Sequence, residues 1–273
     1  MADPRERYLR IQAELGGKEV ILTAGWAVGK LAGAPSGPAA RDAVATTGPT
    51  AQPPNLPTSQ PSNWQRGAPP IPSEPGIRVD AVQGSAAAPS PWGSLDDVAR
   101  AIASCRSCLL CEGRKNTVPG EGSPTARLLF VGEGPGQTED ETGRPFVGRA
   151  GELLTQIIEA VGLKRDDVFI CNAVKCRPPQ NRKPLPDEMA ACRPFLERQI
   201  DLVKPAVIVA LNASAAEALL SSRESLGRLR NRVHSYRGIP LVVTYHPAAL
   251  LRNPNWKKPT WDDIRIARQL LDR

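Results

Sequence analysis

The placement of proline constrains this chain more than any other feature. Of the 28 prolines among 273 residues, thirteen fall between Pro35 and Pro91, and the other fifteen are spread over everything else. That imbalance excludes a single compact domain running from end to end. Residues 31–93 are rich in Pro, Ala, Gly, Ser, Thr and Gln and hold few large apolar side chains. Such a segment buries too little surface to offset its ordering entropy, and it reads as a disordered linker. Residues 1–30 have room for one short helix, with Tyr8, Leu9, Ile11 and Leu15 as its apolar positions. Residues 94–273 remain as the folded domain.

The chain carries 35 Lys+Arg against 28 Asp+Glu, a formal charge of +7. From Gly93 onward the count is 27 basic against 21 acidic, so the excess of six lies in the folded part. A basic balance is a weak pointer to nucleic acid, with a solvated basic face as the plainer alternative. No apolar run approaches the ~20 residues of a membrane-spanning helix, which excludes an integral membrane protein. Val20 to Gly29 followed by Ala32-Gly33-Ala34 imitates a signal peptide, but Glu14 and Glu19 precede it and Lys30 interrupts it. The expectation is a cytoplasmic monomer with reduced thiols.

Order is expected from Ser94, where Ser94-Leu95-Asp96-Asp97 resembles a capping box. Buried-strand segments then follow at 127–132, 167–172, 206–211 and 239–244. Helical segments fall between and after them, at about 151–161, 186–203, 213–220 and 261–271. Alternating βα units argue for an α/β fold with a parallel sheet and helices on both faces. Ligands in such folds bind at the carboxyl ends of the strands.

The loops at those ends carry the chemistry. Strand one leads into Gly132-Glu133-Gly134-Pro135-Gly136, then Glu139-Asp140 and Pro145-Phe146. The spacing fits neither a P-loop nor a dinucleotide fingerprint, and two carboxylates with an aromatic favour a polar substrate with a flat face. Strand two ends on Asn172, whose amide can match the edge of a base or simply cap a turn. Strand four leads into His246-Pro247-Ala248-Ala249-Leu250-Leu251-Arg252, one of only two histidines in the chain. The other, His234, lies in an Arg-rich stretch and reads as surface. Cys105-x2-Cys108, with the distant Cys176 and Cys192, has the composition of a four-thiolate site, equally suited to zinc or an iron–sulfur cluster. Cys111 adds a third member to the first run, and Cys171 reads as a small core residue.

These motifs, in this order, resemble the family 4 uracil-DNA glycosylases over about Ser94 to Arg273. The resemblance implies a three-layer α/β/α sandwich around a four-stranded parallel sheet. It implies a [4Fe-4S] cluster on Cys105, Cys108, Cys176 and Cys192, leaving Cys111 and Cys171 as spectators. It implies a monofunctional enzyme that flips uracil out of single- or double-stranded DNA and hydrolyses it away. Glu133, Gly134 and Pro135 would then line the base pocket, Phe146 would stack on the base, Asn172 would read its edge and His246 would face O2. Glu133, with Glu139 or Asp140, would supply the negative surroundings of the sugar. Leu250, Leu251 and Arg252 would form the wedge that enters DNA, with Arg177, Arg182 and Arg228 to Arg237 toward phosphates. Uracil-trapping relatives carry Gln where Gly134 stands and a histidine in a basic loop, and Lys175 to Cys192 contains none. A third reading is an iron–sulfur nucleic-acid-binding module without turnover, reaching a protein partner through the N-terminal extension.

Overall fold

The computed structural model describes residues 63–80 and 91–273. The helix expected within residues 1–30 lies outside the described residues, as do positions 31–62 and 81–90 of the expected linker. Seven strands form one mixed sheet: β1 Pro75–Val79, β2 Glu121–Gly122, β3 Leu128–Gly132, β4 Phe169–Asn172, β5 Val207–Ala210, β6 Val233–Tyr236 and β7 Ile239–Val243. Their order is β1-β6-β7-β5-β3-β4-β2. The four-stranded parallel sheet expected from sequence is therefore corrected to a seven-stranded mixed one. Its centre, β7-β5-β3-β4, is parallel throughout and is built from the four expected segments. Outside it, β6 runs antiparallel to β7, β2 antiparallel to β4, and β1 parallel to β6. A continuous apolar run marks only strands covered on both faces. The outer strands are short or half-polar and lack that mark.

The helices are α1 Leu95–Ser104, α2 Leu110–Gly113, α3 Gln137–Thr142, α4 Arg149–Ala160, α5 Pro186–Val203, α6 Ala213–Leu220, α7 Leu226–Leu229, α8 Pro247–Arg252 and α9 Lys257–Leu271. Strand side chains alternate between faces. Leu128, Phe130 and Val209 pack with Leu154, Ile157 and Ile264 of α4 and α9. Leu129, Val131 and Ile208 pack with Leu196, Ile200 and Leu219 of α5 and α6. The result is the expected three-layer α/β/α arrangement. At its side, Val98 and Ile102 of α1 and Leu110 of α2 pack on Met189 and Phe195 of α5. The start of α1 is the expected capping box: Asp97 N–H donates to Ser94 Oγ (3.1 Å) and Ser94 N–H to Asp97 Oδ2 (2.9 Å).

Disorder expected throughout residues 31–93 is contradicted at 63–80. Trp64 is buried in the core under α9, the Arg268 guanidinium lies 5.1 Å from its ring, and Gln269 Nε2 donates to the Pro69 carbonyl (2.9 Å). Trp64 and Ile71 join the core on one face of the sheet and Ile77 and Val79 the core on the other, apolar positions that composition averaged over sixty residues conceals. His234, expected at the surface, is buried and ties β1 to the sheet. Its Nδ1 accepts from Ile77 N–H (2.9 Å) and its Nε2 pairs with the Leu229 carbonyl (2.7 Å). Burial lowers its pKa, in keeping with a neutral ring that accepts at one nitrogen and donates at the other. Among the described residues no helix is long and apolar enough to cross a membrane.

Candidate active site

The carboxyl ends of β3, β4, β5 and β7 open into a cavity of about 680 Å³. Glu133, Gly134, Pro135 and Glu139 line it from the loop after β3, Phe146 from the segment before α4, and Asn172 and His246 from the ends of β4 and β7. The six residues expected to hold a base, and Glu139 expected beside the sugar, thus share one hollow.

Phe146 is a non-glycine residue at φ 50°, in the left-handed region. Such a conformation costs about 1–2 kcal/mol, and its surroundings must enforce it. Glu139 does so: its Oε1 accepts from the N–H groups of Val147 (3.0 Å) and Gly148 (2.9 Å), fixing the turn on which the ring is mounted. The Phe146 ring stands 5.4 Å from the His246 ring, tilted by 31°. One oxygen of Glu139 is thereby committed to the backbone. Asp140, the alternative anion, is buried against the N–H of Lys115 (2.9 Å) and does not line the cavity. Glu133 is the freer carboxylate, oriented by Asn212, whose Nδ2 donates to Glu133 Oε2 (2.9 Å). Asn212 caps α6 by accepting from Ala215 N–H (2.8 Å) and also lines the cavity. It directly follows the strand segment 206–211, so the rule that found Asn172 finds it too once applied to that loop.

Asn172 is 1% exposed, and its Oδ1 has no hydrogen-bond partner. An oxygen that accepts nothing caps no turn, which removes the plainer reading of this residue. A buried unsatisfied oxygen costs about 1–3 kcal/mol, a penalty that persists where a ligand donor is to be met. Gly132 makes the arrangement possible: a Cβ there would lie 2.3 Å from Asn172 Oδ1 and 2.6 Å from Phe146 Cζ.

His246 is the N-cap of α8, and its Nδ1 accepts from Ala248 N–H (3.2 Å). In the neutral ring that assigns the proton to Nε2. Burial pushes the His246 pKa down to about 4, the nearby Arg252 charge adds to the effect, and Glu139 opposes it. At neutral pH the ring is an uncharged donor.

The expected wedge needs correction. Leu250 is fully buried in the core, whereas Leu251, one residue on, is 41% exposed. A helix turns about 100° per residue, so consecutive leucines on α8 cannot share a face. Leu250 is anchored in the core, Leu251 is presented outward, and Arg252 lines the cavity. Four of the arginines expected toward phosphates are already engaged, Arg182 by Glu188 (2.6 Å), Arg230 by Asp263 (2.7 Å), Arg232 by Glu74 (2.5 Å) and Arg237 by Glu197 (3.2 Å).

Cys105, Cys108, Cys176 and Cys192 line a second, smaller cavity between α1, α2 and α5, and Cys111 joins them there rather than standing apart. Among the described residues no three His, Cys, Asp or Glu side chains are grouped so as to hold a single metal ion. Burial raises the pKa of Cys108 and Cys176 and pushes that of Cys192 up to about 12. Arg114 Nη1 donates to Cys176 Sγ (3.1 Å) and Lys175 N–H to Cys192 Sγ (3.3 Å). The cavity lining contains two cations, Arg114 and Lys175, and no carboxylate. Lys175 is 1% exposed, and its Nζ donates to the carbonyl of Asn172 (2.7 Å) and to Gln199 Oε1 (2.6 Å). Sequence reading missed this bridge between the two cavities, since a lysine in a loop carries no mark of burial.

Comparison with known proteins agrees with the geometry. A model of the uracil DNA glycosylase superfamily matches residues 119–265. The chain is 47% identical over 186 residues to a type-4 uracil-DNA glycosylase of Sulfurisphaera tokodaii, covering 65% of this chain and 84% of that protein. It is 44% identical over 183 residues to the type-4 uracil-DNA glycosylase of Thermotoga maritima, covering 66% and 95%. A type-5 uracil-DNA glycosylase of Thermus thermophilus is 38% identical over 149 residues, 47% of this chain and 68% of that protein. With the match spanning more than half its length and most of its relatives', the chain belongs to the uracil-DNA glycosylase superfamily and, within it, to the type-4 enzymes, which excise uracil from DNA.

Proposed function

We propose that the cavity takes an everted uracil edge-on to Asn172 and face-on to Phe146, and that its residues divide the work of hydrolysis. Uracil presents an N3–H donor beside the O4 acceptor, and an amide answers both at once. The observation that carries this reading is the buried, unpartnered Oδ1 of Asn172, which N3–H would satisfy. Cytosine has an acceptor at N3 and would leave that oxygen unpaired, a penalty that selects against it.

Uracil departs as an anion while the sugar gains positive charge. The Nε2–H of neutral His246 donates to O2 as charge develops there, and a preorganised donor of this kind lowers the barrier by about 3 kcal/mol. The carboxylate of Glu133, steadied by Asn212, orients the attacking water and faces the sugar's growing charge. Glu139 acts through the backbone that carries Phe146. Leu251 fills the space the base vacates, and Arg252 meets a phosphate. Among the described residues no lysine lines this cavity, which supports the reading of a monofunctional enzyme without a Schiff-base nucleophile.

Cys105, Cys108, Cys176 and Cys192 would hold a [4Fe-4S] cluster, an anion that Arg114 and Lys175 complement in charge. Bound there it would serve structure rather than the chemistry at the base, and its four ligands would fasten the segment 173–185 against α1 and α5. The test is release of uracil from a uracil-containing oligonucleotide, followed by alkali. Wild type should yield strand scission, and Asn172→Ala should lose about a hundredfold or more in rate. Intact strands with cluster-loaded wild type would reject the reading.

A further inference from the structure

The base cavity is larger than the base. A volume of about 680 Å³ suits a drug-sized molecule, and Phe146, Asn172 and His246 account for one pyrimidine at its buried end. The exposed end is aromatic. Tyr245 and Trp256 both line the cavity and lie face to face, ring centroids 4.8 Å apart and planes within 4°. The guanidinium of Arg230 covers Tyr245 at 4.5 Å from the ring centroid. Two groups this close cannot share a ring face, so the stack runs Arg230, Tyr245, Trp256.

That stack is rigid. Arg230 is clamped by both oxygens of Asp263 (2.7 and 3.1 Å), and the Thr244 hydroxyl donates to the same carboxylate (2.7 Å). Trp256 closes the turn Pro254–Trp256, and its carbonyl accepts from Thr260 Oγ1 (2.8 Å) in α9. Yet Trp256 as a residue remains 36% exposed, one of four exposed large hydrophobic residues among the described residues. A second of those four is Leu251, five residues earlier at the end of α8. A preorganised aromatic with an open face at the mouth of a DNA-lesion pocket has the form of a stacking platform.

We propose that the open face of Trp256 is a second base subsite, which receives the unpaired nucleobase next to uracil in single-stranded DNA. The proposal rests on the assignment of the buried end to uracil. Every base has a π-face, so the platform imposes no sequence on its occupant. Arg252 lines the same cavity and is placed for the phosphate that joins the two nucleotides. In a duplex the neighbours of uracil stay paired and stacked on each other, and the platform has little to take.

The experiment compares kcat/KM for uracil release from a single strand and from a U·G duplex of the same sequence, using the full chain as wild type, Trp256→Ala and Trp256→Phe. A single strand whose uracil is flanked by abasic sites is the control. The ratio of single-strand to duplex kcat/KM should fall about tenfold or more in Trp256→Ala, through KM, and Trp256→Phe should restore most of it. On the abasic-flanked strand wild type and Trp256→Ala should converge, because the occupant is missing. Equal losses on single strand and duplex, or a gap that persists on the abasic-flanked strand, would overturn the subsite. Wild type that released uracil from neither substrate would instead overturn the reading of the buried end.

Discussion

Gly132→Ala isolates the geometry on which base recognition rests. A methyl group at this position would sit 2.3 Å from Asn172 Oδ1 and 2.6 and 2.8 Å from two carbons of the Phe146 ring. All three separations are below van der Waals contact, so both side chains must move. In an otherwise open strand the same change would stabilise by about 0.5–1 kcal/mol, because alanine loses less backbone freedom on folding than glycine. Here overpacking costs about 1–3 kcal/mol. The sign of the stability change therefore tests the clash by itself. The catalytic effect is the larger one: misplacing a reacting geometry by about 1 Å costs about a hundredfold. Phe146 has little room to yield, since its carbonyl lies under Gly151 and its turn is held by Glu139. Thermal unfolding and single-turnover uracil release on the purified variant read the two effects separately. A variant as stable as wild type and within fivefold of its rate would show that neither Asn172 nor Phe146 sits where the reasoning requires.

Lys175→Met keeps the length of the side chain and removes its charge. It leaves the Asn172 carbonyl and Gln199 Oε1 without their donor, at about 1–3 kcal/mol each. The variant should retain less iron per chain after gel filtration and lose uracil release even in the iron-loaded fraction; full iron content at wild-type rate would refute the bridge. For His246 the folded pKa, about 4, lies below its ordinary value of 6.5. Its stabilising contribution is therefore present above pH 6.5 and lost as pH falls through 4. The acid limb of the wild-type rate profile should lie near pH 4, and stability should decline between pH 6.5 and 4 more steeply than in His246→Gln. A limb at pH 6.5 would mean a solvated imidazole.

What sequence made legible follows from how burial writes itself into residue order. The four central strands are covered on both faces, so each appears as an unbroken apolar run, and β3, β4 and β5 are buried at every position. Once those runs were placed, the rule that ligands gather at strand carboxyl ends led directly to Glu133, Asn172 and His246. The outer strands obey no such pattern: His234 and Ser235 interrupt β6, and β2 is two residues long. Phase was the second difficulty. Leu250 and Leu251 are the same residue type in adjacent positions, and only the start of α8 at Pro247 decides which faces the core. Third came polar residues whose partners are distant in sequence. Lys175 meets Gln199 across 24 positions, Asn212 meets Glu133 across 79, and His234 meets Ile77 across 157. Each of these residues carries a charge, amide or imidazole that reads as solvated until the fold supplies its partner. Lys175 shows why that matters for function. Its backbone faces Cys192 while its ammonium holds the carbonyl of Asn172, so the thiol cavity and the base edge share one buried side chain. On the proposed reading, a change on the cysteine side should reach the Asn172 amide through three residues of chain, with no need for the two cavities to touch.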